Sequence, residues 1–210
     1  MTPNDALEAL RAASDPDRAA QLATRHGDGT YLGTPAQTIS DLAGAWRKTL
    51  DLTARLELAQ GLWESAVFEA RIAAAKLLTQ ARIPEDQALW DQILAWLPQA
   101  GLWPVLDALA AAGARRLAAR PDRLSDVLPL ASAEAPLLRR AALLLTEPMA
   151  KADFPDADAL IRREQVLGLL PALLADSDKD VHRTAQSWLR TFAKHDFKRA
   201  RAFRQDHGLA

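Results

Sequence analysis

The stretch "AGLWPVLDALAAAG", residues 100–113, decides the reading of the fold. It is apolar and alanine-rich, as is much of the chain, whereas Val, Ile, Tyr and Phe are scarce, so propensity points to helix and away from sheet. One acid, Asp107, interrupts it one helical turn after Trp103. Aspartate is seldom buried without a partner, so its place here needs a cause: a helix cap, an ion pair or chemistry. Pro104 followed by Asp107 fits the start of a helix, where Asp is a preferred cap.

Outward from this stretch, apolar residues recur at helical spacing almost everywhere, and no strand pattern is found. The spacing predicts helices over 4–13, 15–25, 35–47, 51–62, 65–80, 85–97, 103–119, 121–130, 135–147, 156–174, 178–194 and 196–206. Start signals support many of them. "TPAQ" places Thr34 as a cap and Pro35 in the first turn, and "SAVFEARIAAAKLL" opens on Ser65 with Glu69 one turn in. "DFPDADALI" and "DSDKDVHRTA" set acids at helix N-termini, where they complement the macrodipole. The one long irregular stretch of the first half is "HGDGTYLGT", residues 26–34. Short connections and helices in pairs have the texture of a HEAT or armadillo solenoid. The expected fold class is therefore all-α, a HEAT-like helical-repeat superhelix forming a single domain over 1–210, with a concave face. Three Arg-Arg pairs, at 115–116, 139–140 and 162–163, fall at nearly even intervals and fit a repeated element that presents arginines to one surface.

The 210 residues suffice for one sizeable core or for two small domains sharing an interface. The absence of cysteine excludes disulfides, thiolate metal sites and a cysteine nucleophile. His26, His182, His195 and His207 are scattered, and no spacing among them or the acids resembles a metal site, so neither metal nor cofactor is expected. A Gly-rich phosphate loop and a GxSxG elbow are both missing, which counts against nucleotide hydrolysis and serine-hydrolase chemistry. No run approaches the length of a bilayer span and no leader pattern opens the chain, so a cytoplasmic protein with no membrane partner is expected, with a monomer as the default state. The formal net charge of -1 hides an asymmetry: residues 181–210 carry seven Lys or Arg against two Asp. A basic end on a near-neutral protein suggests a localised anionic partner, with nucleic acid the foremost candidate.

Several local patterns resemble, in order, those of the AlkD-type DNA alkylation repair glycosylases, a family built of HEAT-like repeats. "YLG" at 31–33 is similar to the family's aromatic-x-Gly element, and "LWESAVFEARIAAAKLL" at 62–78 to its "LW…E.R..A…L" helix pair. "WPVLD" at 103–107 has the family's Trp-x-x-x-Asp spacing. "LLRRAALLL" at 137–145 resembles its double-arginine helix and "VHRTAQSWLRTFAK" at 181–194 its late tryptophan helix. The chain departs from the pattern twice. Leu137 stands where the family usually has a tryptophan, and Thr191 where it has an arginine, the nearest one here being Arg190.

The resemblance implies a monofunctional glycosylase that hydrolyses the N-glycosidic bond of cationic alkylpurines, such as 3-alkyladenine and 7-alkylguanine, in double-stranded DNA. It implies Asp107, Trp103 and Arg140 as catalytic residues. Trp188, Arg139, Arg190, Tyr31, Arg183 and Lys194 are implied in holding substrate and DNA. Other readings of the same residues stand beside these. Asp107 fits a cap, Trp103 and Trp188 fit core packing, and Arg139 and Arg140 fit ion pairs with Glu134 or Glu147. Trp46, Trp63, Trp90 and Trp96 are assigned to packing. For the whole chain the alternatives are a non-catalytic protein that binds branched or damaged DNA, and a protein-interaction scaffold.

Overall fold

The computed structural model describes residues 1–80 and 82–209. Among them it has thirteen α-helices, three short 3-10 helices and no strand, only an isolated parallel bridge between Thr30 and Val67. The expected all-α class is observed. The Cα framework separates into two compact units, Met1–Ala112 and Gly113–Ala210.

The first unit holds α1 (Pro3–Ala12), α2 (Pro16–His26), α3 (Ala36–Thr49), α4 (Leu52–Glu64), α5 (Phe68–Leu77), α6 (Gln87–Trp96) and the start of α7 (Trp103–Ala119). Short polar side chains begin several of these. Thr2 and Asp5 close a reciprocal capping box on α1, while Asp15 and Asp51 accept backbone N–H groups at the starts of α2 and α4. The unit is organised around α5, which packs against α1, α3 and α4. Ala70, Ala73, Ala74 and Ala75 are fully buried, and their small side chains let neighbouring backbones approach from several sides. Trp63 and Trp96 stack at 4.4 Å between ring centroids, within the favourable range for aromatic pairs. Trp46, Trp63, Trp90 and Trp96 are all buried, as their assignment to packing requires.

The second unit holds α8 (Leu124–Val127), α9 (Pro136–Leu145), α10 (Glu147–Ala150), α11 (Ala157–Leu174), α12 (Lys179–His195) and α13 (Phe197–Asp206). Its central element is α12, in contact with α9, α10, α11 and α13. Val181, Ala185, Trp188, Leu189 and Phe192 form its buried stripe at helical spacing, while the opposite face is polar. Asp156 and Asp178 cap α11 and α12 as expected. Asp196 does two jobs: one carboxylate oxygen accepts the Arg199 backbone N–H at the start of α13, and the other accepts the buried Arg163 guanidinium at 2.6 Å. Arg163 also lies over the Phe192 ring, so one guanidinium ties α11, α12 and α13 together.

The structure corrects several sequence expectations. Thr34 does not cap α3; its buried hydroxyl donates to the Leu10 carbonyl and fastens the incoming loop to α1. Ser65 ends α4, and Ala66 then turns the chain at φ 56°, so α5 begins only at Phe68. The helix expected over 121–130 divides into a 3-10 turn, α8 and a second 3-10 turn, and at its far end Pro129 lacks the N–H that a continuous helix needs. The Arg-Arg pairs do not present a uniform basic surface, since Arg116 and Arg163 are buried.

Gly33 shows how tightly the irregular stretch is wound. Its φ is +75°, and a Cβ there would lie 2.0 Å from the Asp15 carbonyl oxygen and 2.7 Å from the Ala19 nitrogen, both backbone atoms with little room to yield. Gly33→Ala is expected to cost at least about 2 kcal/mol in urea unfolding, from the left-handed backbone together with the clash. An unfolding midpoint equal to wild type would contradict this account of the loop.

Candidate active site

Of the six tryptophans, Trp103 alone is exposed, at 42%, against at most 4% for the others. It is the first residue of α7, and Asp107 follows one turn later on the same side of the helix, partly buried. Because α7 already begins at Trp103, Asp107 sits in the second turn, beyond the position of an N-cap. Capping is thereby removed as the reason for this acid.

The edge of Trp103 meets His26, the last residue of α2, at 6.1 Å between centroids. His26 also stacks on Phe68 at 5.8 Å and on Tyr31 at 6.4 Å, and Tyr31 contacts Phe68 at 5.4 Å. Tyr31 and Trp103, far apart in sequence, thus share one histidine. Burial is the larger cause that holds His26 below its ordinary value near 6.5, and the neighbouring Arg25 charge adds to it. A cleft of about 310 Å³ opens beside this group, lined by Tyr31, Phe68, Arg71, Leu102 and Val105 among others. Arg71 is fixed at its edge, donating to the Trp63 and Gln99 carbonyls and lying 5.0 Å from the Trp63 ring.

Tyr31 is held through its neighbours' backbone. The Glu69 carboxylate, 1% exposed, accepts the Leu32 N–H at 2.9 Å and the Gly33 N–H at 2.7 Å. Phe68 N–H donates to the Thr30 carbonyl, and Asp15 N–H to that of Leu32. The helix-start position of Glu69 is visible in the sequence, but its long-range partners are not. The sequence reading also passed over His26 and Phe68; the only signal was their closeness to the glycine-rich stretch and to the "FEAR" pattern.

The remaining predicted site residues belong to the second unit. Arg139 grips Asp176 with two hydrogen bonds of 2.6 and 2.9 Å and donates to the Ala133 and Glu134 carbonyls. Four of its five N–H donors are thereby engaged, and the partner is Asp176 instead of the expected Glu134 or Glu147 carboxylate. That grip, first through its hydrogen bonds, holds the Asp176 carboxyl below the ordinary carboxylate value. Arg139 is an internal clamp. Arg140 beside it is partly buried on α9, as is Leu137. Trp188 is buried at 3% exposure against Phe192, with its indole N–H lacking a hydrogen-bond partner. It belongs to the core of this unit. Arg183, Arg190 and Lys194 are exposed on α12; Arg183 makes a loose 3.6 Å contact with Asp180. No group of His, Cys, Asp or Glu among the described residues has the arrangement of a metal site, and none of the described helices is long and apolar enough to cross a membrane.

A family model described as DNA alkylation repair enzyme matches residues 6–210. No curated protein and no solved structure shows significant similarity to the chain.

Two predictions follow from the first unit. Glu69→Gln retains only one acceptor oxygen for two buried N–H groups, so it is expected to cost about 1–3 kcal/mol in urea unfolding. Unchanged stability would mean that the carboxylate does not hold the loop. For His26 the folded pKa lies below the unfolded one, so the unfolded chain binds more protons between the two values. The stability from this group is present above the unfolded value near 6.5 and is lost as pH falls through the folded one. His26→Phe is expected to flatten that acid-side loss, and an NMR titration of His26 with a midpoint at or above 6.5 would contradict it.

Proposed function

Because the chain belongs to the family of DNA alkylation repair enzymes, with DNA as its substrate, we propose that it is a monofunctional glycosylase removing cationic alkylpurines from duplex DNA. The observation that carries this reading is the exposed Trp103 with Asp107 one turn behind it. A purine alkylated on a ring nitrogen already bears a positive charge. Its bond to the sugar breaks with the electron pair going to the base, which leaves neutral and needs no general acid. The sugar becomes oxocarbenium-like, and a fixed carboxylate stabilises that charge. Asp107 fills this role, then directs a water to the sugar carbon and receives its proton. The indole of Trp103 offers an electron-rich face to the lesion or sugar.

In this reading Tyr31 is a further contact to DNA in the first unit, and Arg140, Arg183, Arg190 and Lys194 are contacts to DNA phosphates in the second. Arg139, with its guanidinium clamped on Asp176, acts in this reading by ordering the second unit's own DNA-contacting helices. The burial of Trp188 favours a second reading, that of a non-catalytic protein that binds damaged DNA, because a residue the resemblance implies in holding substrate lies in the core of the second unit.

Base release separates the two. Wild-type protein is expected to liberate 7-methylguanine from methylated duplex. Asp107→Asn is expected to slow this about 10²–10³-fold, the usual cost of removing one electrostatic stabiliser, with duplex affinity largely kept. Trp103→Ala is expected to lose about tenfold, in line with a desolvated cation–π contact. Duplex binding without release of any modified base by the wild type would select the non-catalytic reading.

A further inference from the structure

A cleft of about 260 Å³ in the second unit is lined by Leu174, Gln186, Leu189, Arg190, Arg204 and Leu209. Gln186, Leu189 and Arg190 fall on one face of α12 at helical spacing, and Arg204 comes from α13, so two arginines from different helices line the same space. This is where Arg190 goes in place of an arginine at 191.

The two arginines differ from their neighbours. Arg139, Arg163 and Arg199 of this unit each bind a carboxylate at 2.6–2.7 Å. No side-chain hydrogen bond or ion pair joins Arg190 or Arg204 to any described residue, and no acidic residue lines the cleft. Two uncompensated positive charges facing one cavity favour an anion. Arginine forks match the tetrahedral oxygens of phosphate better than a lysine point charge would.

The rest of the lining says what the phosphate is attached to. Leu174, Leu189 and Leu209 form an apolar wall. Gln186 is orientated by a short relay: His182 Nδ1 donates to the Leu174 carbonyl at 2.6 Å, so its Nε2 is the acceptor and receives the Gln186 amide N–H at 2.9 Å. The Gln186 carbonyl oxygen stays available to accept from a ligand hydroxyl or N–H. We propose that this cleft binds a nucleotide-type phosphate ester, with Arg190 and Arg204 on the phosphate, Gln186 accepting from sugar or base, and the leucines covering the apolar face. The ligand is either a free nucleoside monophosphate or the phosphorylated end of a DNA strand. Arg190, given above as a contact to DNA, here serves the phosphate of this cleft, and binding requires no damaged base.

The test is calorimetry and methyl NMR on the intact chain with inorganic phosphate, deoxyadenosine 5′-monophosphate and lesion-free duplexes with or without a 5′-phosphate. Saturable nucleotide binding that shifts the Leu174, Leu189 and Leu209 methyls is expected, with inorganic phosphate weaker. Arg190→Gln and Arg204→Gln should each weaken it about tenfold or more, the range for a charge-assisted hydrogen bond, with unchanged Tm. Arg190→Lys should recover only part of the loss. Competition by the 5′-phosphorylated duplex but not by the unphosphorylated one identifies the strand end as the source; absence of competition identifies the free nucleotide. Nucleotide binding that is absent, or untouched by both glutamine variants, overturns the proposal, whatever the base-release assay gives.

Discussion

The first unit depends on one buried carboxylate. Among the described residues its oxygens meet no cationic side chain; Glu69 is held by the two backbone N–H groups of Leu32 and Gly33. A charge taken out of water is tolerated only where hydrogen bonds replace its hydration, and short N–H donors to an ionised acceptor are among the stronger ones available. The constraint also acts in the other direction. A nine-residue stretch with three glycines would be costly to order, and the clamp fixes it at its C-terminal end while the Phe68–Thr30 and Asp15–Leu32 bonds fix it on either side. Tyr31 is placed by that winding, and the ring group around His26 follows.

In the second unit the equivalent work is done by arginine. Arg139 joins α9 to the turn before α12, Arg163 joins α11 to the cap of α13, and Arg199 returns from α13 to Glu164 on α11. Arg139 or Arg163 left buried without its acid would cost several kcal/mol, so these two pairs fix the register of their helices whether or not they add net stability, while the more exposed Arg199 pair contributes less. The arginines of this unit therefore separate into those that hold helices together and those that face a cleft or solvent. Spacing alone cannot make that separation. The partners of Arg139 and Arg163 lie 37 and 33 residues away.

What the sequence made legible follows the range of the interactions involved. Local rules succeeded: the helical periodicity, the acid caps Asp156 and Asp178, the packing role of four tryptophans, and the irregular stretch at 26–34. Ser65 failed because Ala66 adopts a left-handed turn that few non-glycine residues accept. Thr34 failed because its hydroxyl prefers a carbonyl on α1 to the start of its own helix. Trp188 is the more instructive case. The sequence leaves it open between substrate contact and core packing, and the stripe of Val181, Ala185 and Phe192 around it goes with the packing that its burial shows. In α7 Trp103 lies outside and Asp107 past the cap position.

The surroundings of Trp103 also bear on the proposed chemistry. A leaving group that arrives with its own positive charge gains from electron-rich rings and loses from any nearby cation. The ring touching the edge of Trp103 is a histidine, the one aromatic side chain able to acquire a positive charge near neutral pH. Packing against Tyr31 and Phe68 removes water that would hydrate an imidazolium, and the neighbouring Arg25 charge opposes protonation further. The same contacts that order the 26–34 loop thus favour the uncharged imidazole, and beside Trp103 the neutral ring adds polarisable surface without repelling a cation. Arg71, a cation that lines the neighbouring cleft, is held over Trp63 and to two carbonyls, with its charge spread over groups that already compensate it. A single carboxylate is then enough chemistry for the proposed reaction, because the protein need supply only the negative charge that the breaking bond demands.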